Sequence, residues 1–279
     1  MNFSFSTSKA VRQAVCAVAA AAFIAWVPSA GAQKSPDLTP PNILVIQQEM
    51  LKPGMSGRAH QKTESAFVQA MSNAKSPVHY FAADSMSGPS RSLFFMGFDS
   101  YGDWQKSLEP LMQDPAFDSA SQADGKLLKN FATVVFRYQP DRSANPDVDL
   151  AQMHFMEITV ITIKPGHDEE WQQLAKLHDQ AYGKVPGMHY AMWKEVLGND
   201  SGGEYIVTQP MRSLAEMDAM HVAAGKAWAA VSADQKKKMR DLEAACFVSI
   251  HSNLYALNPK MSYVPDRWKT ASPDFWGKQ

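Results

Sequence analysis

A short corner, in which an apolar β-type run breaks at Lys-Pro-Gly and restarts as a helix, occurs twice in this sequence. It stands at Leu51-Lys52-Pro53-Gly54 and again at Ile163-Lys164-Pro165-Gly166, with the lysines 112 residues apart. A period of that size points to two similar units, and internal similarity decides the architecture before any local reading does. Three more matches follow in the same order. His79-Tyr80 in PVHYFAAD pairs with His189-Tyr190 in GMHYAMWK, 110 residues on. Ser100, opening SYGDW, pairs with Ser213, opening SLAEM, at a distance of 113; Pro140 in YQPDRS pairs with Pro259 in LNPKMS, at 119. Offsets that drift by a few residues are what loop insertions leave between duplicated units.

The second unit reads most clearly. FMEITVITI (155–163) is β-branched and apolar on both faces, as a covered strand should be. Pro165 and Gly166 end it, and Asp168, Glu169 and Glu170 then place negative charge at the positive end of the next helix. Trp171, Leu174, Leu177, His178 and Ala181 recur at helical spacing and give that helix a buried stripe. MHYAMWKEVLG and EYIVTQ flank the turn-former loop NDSGG and predict a hairpin. Ser213 with Glu216, and Ser232 with Gln235, are capping boxes that open two further helices. CFVSIHSNLYAL closes the unit as a strand. The first unit follows the same order, from NILVIQQEML through a weaker helix around Phe67 and Met71 and a hairpin about SMSGPS to FATVVFRY.

Strand, helix, strand, strand, helix, strand is the split βαβ pattern of a ferredoxin-like unit. Such a sheet carries helices on one face only, so its other face must be covered, and two units can press sheet to sheet. The expected fold is therefore α+β: two ferredoxin-like repeats, 41–143 and 153–262, closing as a pseudo-dimeric α/β barrel within one chain. SPDLTPPN and DRSANPDVDLAQ read as lead-in and linker, and 263–279 as a C-terminal tail whose aromatic residues, with Tyr263, Trp268 and Phe275, pack on the body.

With the two KPG corners, the paired His-Tyr strands and MHVAAGKAWAAV (220–231) on the page, the sequence resembles the dimeric α/β-barrel superfamily. That superfamily includes the antibiotic biosynthesis monooxygenase, stress-responsive barrel and NIPSNAP-like families. The resemblance covers nearly all of 41–262 and is specific to fold rather than to one activity. In monooxygenase-like relatives a histidine or tryptophan on the equivalent helix borders the substrate pocket, which is what it implies for His221 and Trp228. The aligned first-unit position is Leu108, and the asparagine that such oxygenases often use has no clear counterpart. Haem-binding relatives hold iron through one axial histidine, a role open here to His221 or His251; otherwise no cofactor is expected.

The N-terminus carries Lys9 and Arg12, an uncharged run from Ala14 to Val27, and the small-residue triplet Ala30-Gly31-Ala32. This is the layout of a secretory signal peptide, 1–32, with cleavage after Ala32; the run is short for a membrane span. Cys16 lies inside the run, which disfavours a lipid anchor. Cleavage removes two positive charges and moves the formal balance from −1 to −3, leaving no basic field for nucleic acid or an anionic membrane. Only Cys246 remains, so no intramolecular disulfide can form in the periplasm or outside the cell. Burial must hold the fold, and no second chain is needed to complete the barrel, so a monomer or weak homo-oligomer is expected.

Chemistry is less legible. On the strand holding His189, residues alternate, so His189, Ala191 and Trp193 share one face while Tyr190 and Met192 share the other. His189 and His221 are the candidate catalytic groups. His79, Tyr80, Tyr190, Met192, Trp193, Trp228 and His251 are the candidate ligand-binding residues. Paired imidazoles can equally be hydrogen-bonded at strand ends and serve only to fix the sheet. HDEE at 167–170 reads as a solvated helix start, and there is no zinc-type ligand cluster, phosphate-cradling glycine motif or nucleophile elbow. Cys246, at an apolar helix end, is expected to be buried and inert. The reading that follows is an exported protein binding a small apolar or aromatic molecule in a barrel pocket. The alternatives are a cofactor-independent monooxygenase or isomerase acting on an aromatic or polyketide-like substrate, and a partner-binding protein with a filled barrel.

Overall fold

The computed structural model describes residues 39–108, 115–198 and 203–277. The expected signal peptide, 1–32, and most of the NDSGG loop lie outside them. Among the described residues no helix is long and apolar enough to cross a membrane.

In chain order the elements are β1 (Ile43–Leu51), α1 (Arg58–Asn73), β2 (Tyr80–Ser85), β3 (Arg91–Phe98), α2 (Tyr101–Leu108), α3 (Pro115–Asp124) and β4 (Leu128–Tyr138). After two single 3-10 turns come β5 (Phe155–Ile163), α4 (Asp168–Tyr182), β6 (Ala191–Leu197), β7 (Glu204–Met211), α5 (Leu214–Ala230), α6 (Ala233–Cys246) and β8 (Phe247–Tyr263), then α7 (Asp266–Ala271) and α8 (Pro273–Trp276).

All eight strands close into one antiparallel barrel in the order β1-β3-β2-β8-β5-β7-β6-β4. The first four strands run β4-β1-β3-β2 and the second four β8-β5-β7-β6, the same order in each half. Closure between the halves rests on the two longest strands. β4 pairs with β1 and β6, while the 17-residue β8 pairs with β5 through its first part and with β2 through Tyr255–Tyr263. A closed barrel leaves no strand edge to be protected.

The repeated corner has one build in both halves. Gly54 and Gly166 have φ of 79° and 84°, the left-handed region where a side chain would be strained. The Lys52 amide donates to the carbonyl of Leu127, and that of Lys164 to Cys246, in each case the residue just before the half's last strand. The lysine Nζ groups reach one residue further back, to Lys126 O at 2.7 Å and to Ala245 O at 2.9 Å. Each corner thus ties the end of the half's first strand to the start of its last.

Alternation along the strands divides the core in three. Inward residues such as Leu44, Phe81, Phe95, Phe136, Trp193 and Tyr255 fill the barrel. Outward residues pack under the helices, with Val45, Phe94 and Met71 in the first half and Ile161, Trp171, Leu174 and Met239 in the second. Ala191 and Trp193 point inward and Met192 outward, as the alternation predicts. Ser213 and Ser232 cap α5 and α6, accepting from the amides of Glu216 and Gln235. Cys246 is fully buried, and burial pushes its thiol up. The C-terminal segment joins the barrel core: Trp268 and Trp276 are both buried there, and the Trp276 indole N–H donates to Ala151 O at 2.8 Å.

Candidate functional site

The barrel interior is largely filled, but a cavity opens at the end where β1, β2, β5 and β6 begin. Its space, open mouth included, is about 840 Å³. Phe81, Phe95, Met156 and Trp193 form its deep apolar wall, Pro41 and Leu44 one rim, and Val264 and Trp268 of the C-terminal segment the facing rim. Phe81 stacks on Phe95 with centroids 4.7 Å apart, and tilts against Trp268 at 5.9 Å. Trp193 is fixed by its indole N–H, which donates to Thr208 Oγ1 at 3.0 Å. The Trp268 N–H is buried and has no hydrogen-bond partner among the described residues.

Five of the residues singled out in the sequence meet at this cavity: His79, Tyr80, His189, Tyr190 and Trp193. They do not present equivalent chemistry. The buried His189 ring lies between two acceptors, with Nε2 2.5 Å from Pro210 O and Nδ1 3.0 Å from Gly187 O. Neither nitrogen can take a proton from a ligand without giving up one of these contacts, and the ring ties the approach to β6 to the end of β7. His79 lies flat on Tyr263, with centroids 5.0 Å apart and planes 8° apart, and burial holds its pKa below the ordinary histidine value. The Tyr80 ring turns away, edge-on to Phe94 in the helix-facing layer, although the residue borders the cavity. The Tyr190 hydroxyl is pushed up to about 12, by burial and then by Asp179, so it stays protonated.

The other four are not brought here. Met192 points into the layer under α4 with Ile161 and Trp171. Trp228 is half-buried on α5, stacked over Tyr182 at 6.4 Å with Lys236 on its ring. His221, on the same helix, is exposed, because α5 rides on the outside of the barrel. His251 is also exposed. It pairs with Val160 towards the far end of β5, whereas the cavity touches β5 at Met156. A pocket that includes His221, Trp228, His251 or Met192 is therefore corrected to one built round His79, His189, Trp193 and Trp268.

The same placement bears on haem. His221 and His251, the axial candidates, are at the surface away from the cavity, and His189 has both ring nitrogens against carbonyl oxygens. These residues do not fit an axial ligand in the barrel mouth. Sequence reasoning missed Trp268, Thr208 and Pro210. Trp268 was legible only as a packing residue of the tail, since nothing local says that the tail folds back over a barrel end.

No protein-family model matches the chain, and no curated protein matches it in sequence. Solved structures do match it in shape. A protein of Fusobacterium nucleatum subsp. nucleatum provisionally named a monooxygenase aligns with a TM-score of 0.52 at 11% identity, over 77% of this chain and 91% of its own. An anthrone oxidase-like protein aligns with a TM-score of 0.50 at 12% identity, over 80% and 93%. A chlorite dismutase variant from Candidatus Nitrospira defluvii reaches 0.48 at 11% identity, over 80% and 94%. The chain thus shares a mixed α/β fold with these structures, built here on a closed antiparallel barrel of eight strands.

Proposed function

We propose that this is an exported protein that binds a small apolar or aromatic molecule in the cavity at the barrel mouth. One observation carries the reading: the apolar and aromatic walls of Phe81, Phe95, Met156, Trp193 and Trp268 converge there with a few polar residues, His79, Tyr190 and Thr208. Largely apolar concave sites with a few placed polar groups are the usual form of small-molecule pockets. A ligand with a flat apolar body against the aromatic wall and one polar group towards His79 or Tyr190 would suit both kinds of lining. Export rests on residues 1–32, with the mature chain starting at Gln33 in the periplasm or outside the cell. We read the two halves as a tandem duplication, on the four ordered sequence anchors, the shared strand order and the twin lysine corners. The barrel then needs no second chain, and the protein is a monomer or weak homo-oligomer.

Native mass spectrometry of protein taken from its own compartment tests the reading. A bound organic molecule is expected, released or weakened by Trp268→Phe, together with an intact mass that begins at Gln33. A ligand-free protein whose cavity takes up no aromatic probe would refute it. A second reading, a cofactor-independent monooxygenase or isomerase acting on an aromatic or polyketide-like substrate, is favoured by what two fold neighbours are named. In it His79, kept neutral by burial, is the proton acceptor at the cavity. Oxygen uptake with an aromatic substrate, lost in His79→Ala, separates it from simple binding.

A further inference from the structure

On the outer side of the barrel, between β1 and helices α1 and α3, four ionisable side chains meet away from solvent. Glu49 comes from β1, His60 and Glu64 from successive turns of α1, and Asp124 from the last residue of α3; their exposures are 6%, 1%, 3% and 2%. His60 Nε2 lies 2.7 Å from Glu49 Oε2, 3.6 Å from Asp124 Oδ1 and 3.9 Å from Glu64 Oε1. One donor atom from each of the four falls within 4.8 Å of all the others. Glu64 Oε1, buried inside this group, has no hydrogen-bond partner by distance and angle among the described residues, although the Glu64 carboxyl lies against that of Asp124.

Three carboxylates against one imidazole do not balance, and buried charge is costly unless it is paired or coordinates a metal. Burial, together with the charge of Asp124, pushes the Glu49 carboxyl up against the pull of His60. Burial first, and then the charges of Glu49, Asp124 and Asp84, push Glu64 well up. Protons can offset this excess, and so can a cation. A cation would take the place of the proton that His60 Nε2 and Glu49 Oε2 share at 2.7 Å, and the surrounding hydrogen bonds already orient the donors. Ser92 Oγ donates to Asp84 Oδ1, so towards His60 Nδ1, 3.4 Å away, it is left as an acceptor. Asp84 is held in turn by the Asn258 side-chain amide at 2.7 Å. With Nδ1 held against Ser92, Nε2 is the nitrogen turned into the cluster, the one through which a metal-bound histidine would be oriented. Asp124 Oδ1 is oriented by the Thr63 hydroxyl at 2.6 Å.

We propose that Glu49, His60, Glu64 and Asp124 bind one divalent first-row transition ion, which pins α1 and the end of α3 to β1. One nitrogen and three oxygens suit Mn2+, Fe2+ or Zn2+ better than ions that seek sulfur. With metal–ligand bonds of about 2.1 Å, no two donors of one ion can lie more than about 4.2 Å apart, against the 4.8 Å that bounds the four donor atoms here. The group therefore closes by roughly half an ångström, while the His60–Glu49 contact opens slightly to admit the ion. All four donors are sealed from solvent, which makes the site structural rather than catalytic, and nothing in it depends on the barrel cavity.

The test uses the full chain, stripped with a chelator and titrated with Mn2+, and separately with Zn2+, by calorimetry. Saturable binding of one ion per chain is expected. Pulsed electron paramagnetic resonance of the Mn2+ form should show coupling to a single imidazole nitrogen. Glu64→Gln, close in size, should weaken Mn2+ at least as much as losing an outer hydrogen-bond partner does, about 10- to 100-fold. Absence of saturable binding of either ion, absence of nitrogen coupling, or unchanged affinity in Glu64→Gln would each overturn the proposal. If Glu64→Gln does not fold, stoichiometry and nitrogen coupling in the unaltered chain still decide.

Discussion

The two halves of the barrel share a strand order and a lysine corner, yet beneath their helices they are chemical opposites. Three residues before the corner lysine stands Glu49 in the first half and Ile161 in the second, both buried and facing outward. Across the ladder Glu49 faces Ser92, whereas Ile161 faces Tyr205. The helix above contributes His60 and Glu64 on one side, and Trp171 and Ala175, at the same four-residue spacing, on the other. Four residues before the last strand comes Asp124, buried in the cluster, or Glu243, half-exposed and 3.7 Å from His178. One half shows that this framework closes well with apolar side chains alone. Closing the fold therefore does not account for three buried carboxylates in the other, and a bound cation does.

The comparison can be broken most forcefully at Trp171. It is 2% exposed and packs against Tyr205 and Phe247 with centroids 5.2 and 5.8 Å away. Trp171→Ala should cost about 3–5 kcal/mol, the usual penalty for an emptied aromatic site. Urea unfolding should give the same loss with chelator and with Mn2+, because among the described residues the second half gathers no such donor cluster.

The next effect should change sign with the metal. In chelator, Glu64→Gln removes a buried acid whose carboxyl is already pushed up, and should leave the protein as stable as before or about 1–3 kcal/mol more so. With saturating Mn2+ the same variant should be less stable than the unaltered chain. Thermal melts in both buffers check this, and equal shifts in the two would dissolve the contrast between the halves.

At the cavity the two halves differ more gently. His189→Ala removes the ring from the buried Pro210 carbonyl and the part-buried Gly187 carbonyl and should cost about 1–3 kcal/mol. For His79→Ala the lost stack on Tyr263 is worth about 0.5–1.5 kcal/mol. Equal losses in chemical denaturation would make the histidines a symmetric structural pair.

The smallest effect is in pH. The folded-state pKa of His79 lies below its unfolded value, so the unfolded chain takes the proton first. Its contribution is complete above the ordinary histidine value of 6.5 and is lost as pH falls from there through the lowered folded value. His178 is shifted the same way by burial, so His79→Phe should remove part, not all, of the stability lost on acidification. Melting temperatures between about pH 7 and 5 measure it.

The sequence by itself determined the order of elements, the two corners, the serine caps and the inward and outward faces of β6. Each is set by neighbours a few residues away: glycine at a positive φ, a serine oxygen reaching an amide three residues on, the two-residue alternation of a strand. The candidate pocket was half legible. His79, His189 and Trp193 sit on or just before strands whose alternation can be read, but the choice of α5 rested on the resemblance to monooxygenase-like relatives, and α5 lies outside the barrel. Only the tertiary structure folded Trp268 over the mouth. It alone gathered Glu49, His60, Glu64 and Asp124, whose sequence separations of 11, 4 and 60 residues match no ligand spacing. The pair of His60 and Glu64 on one buried helix face, beside a glutamate in the outward row of β1, was the one local sign. A metal site or a pocket wall is a relation between side chains brought together by closure of the sheet, and short-range pattern carries no record of which helix face will be closed over which strand.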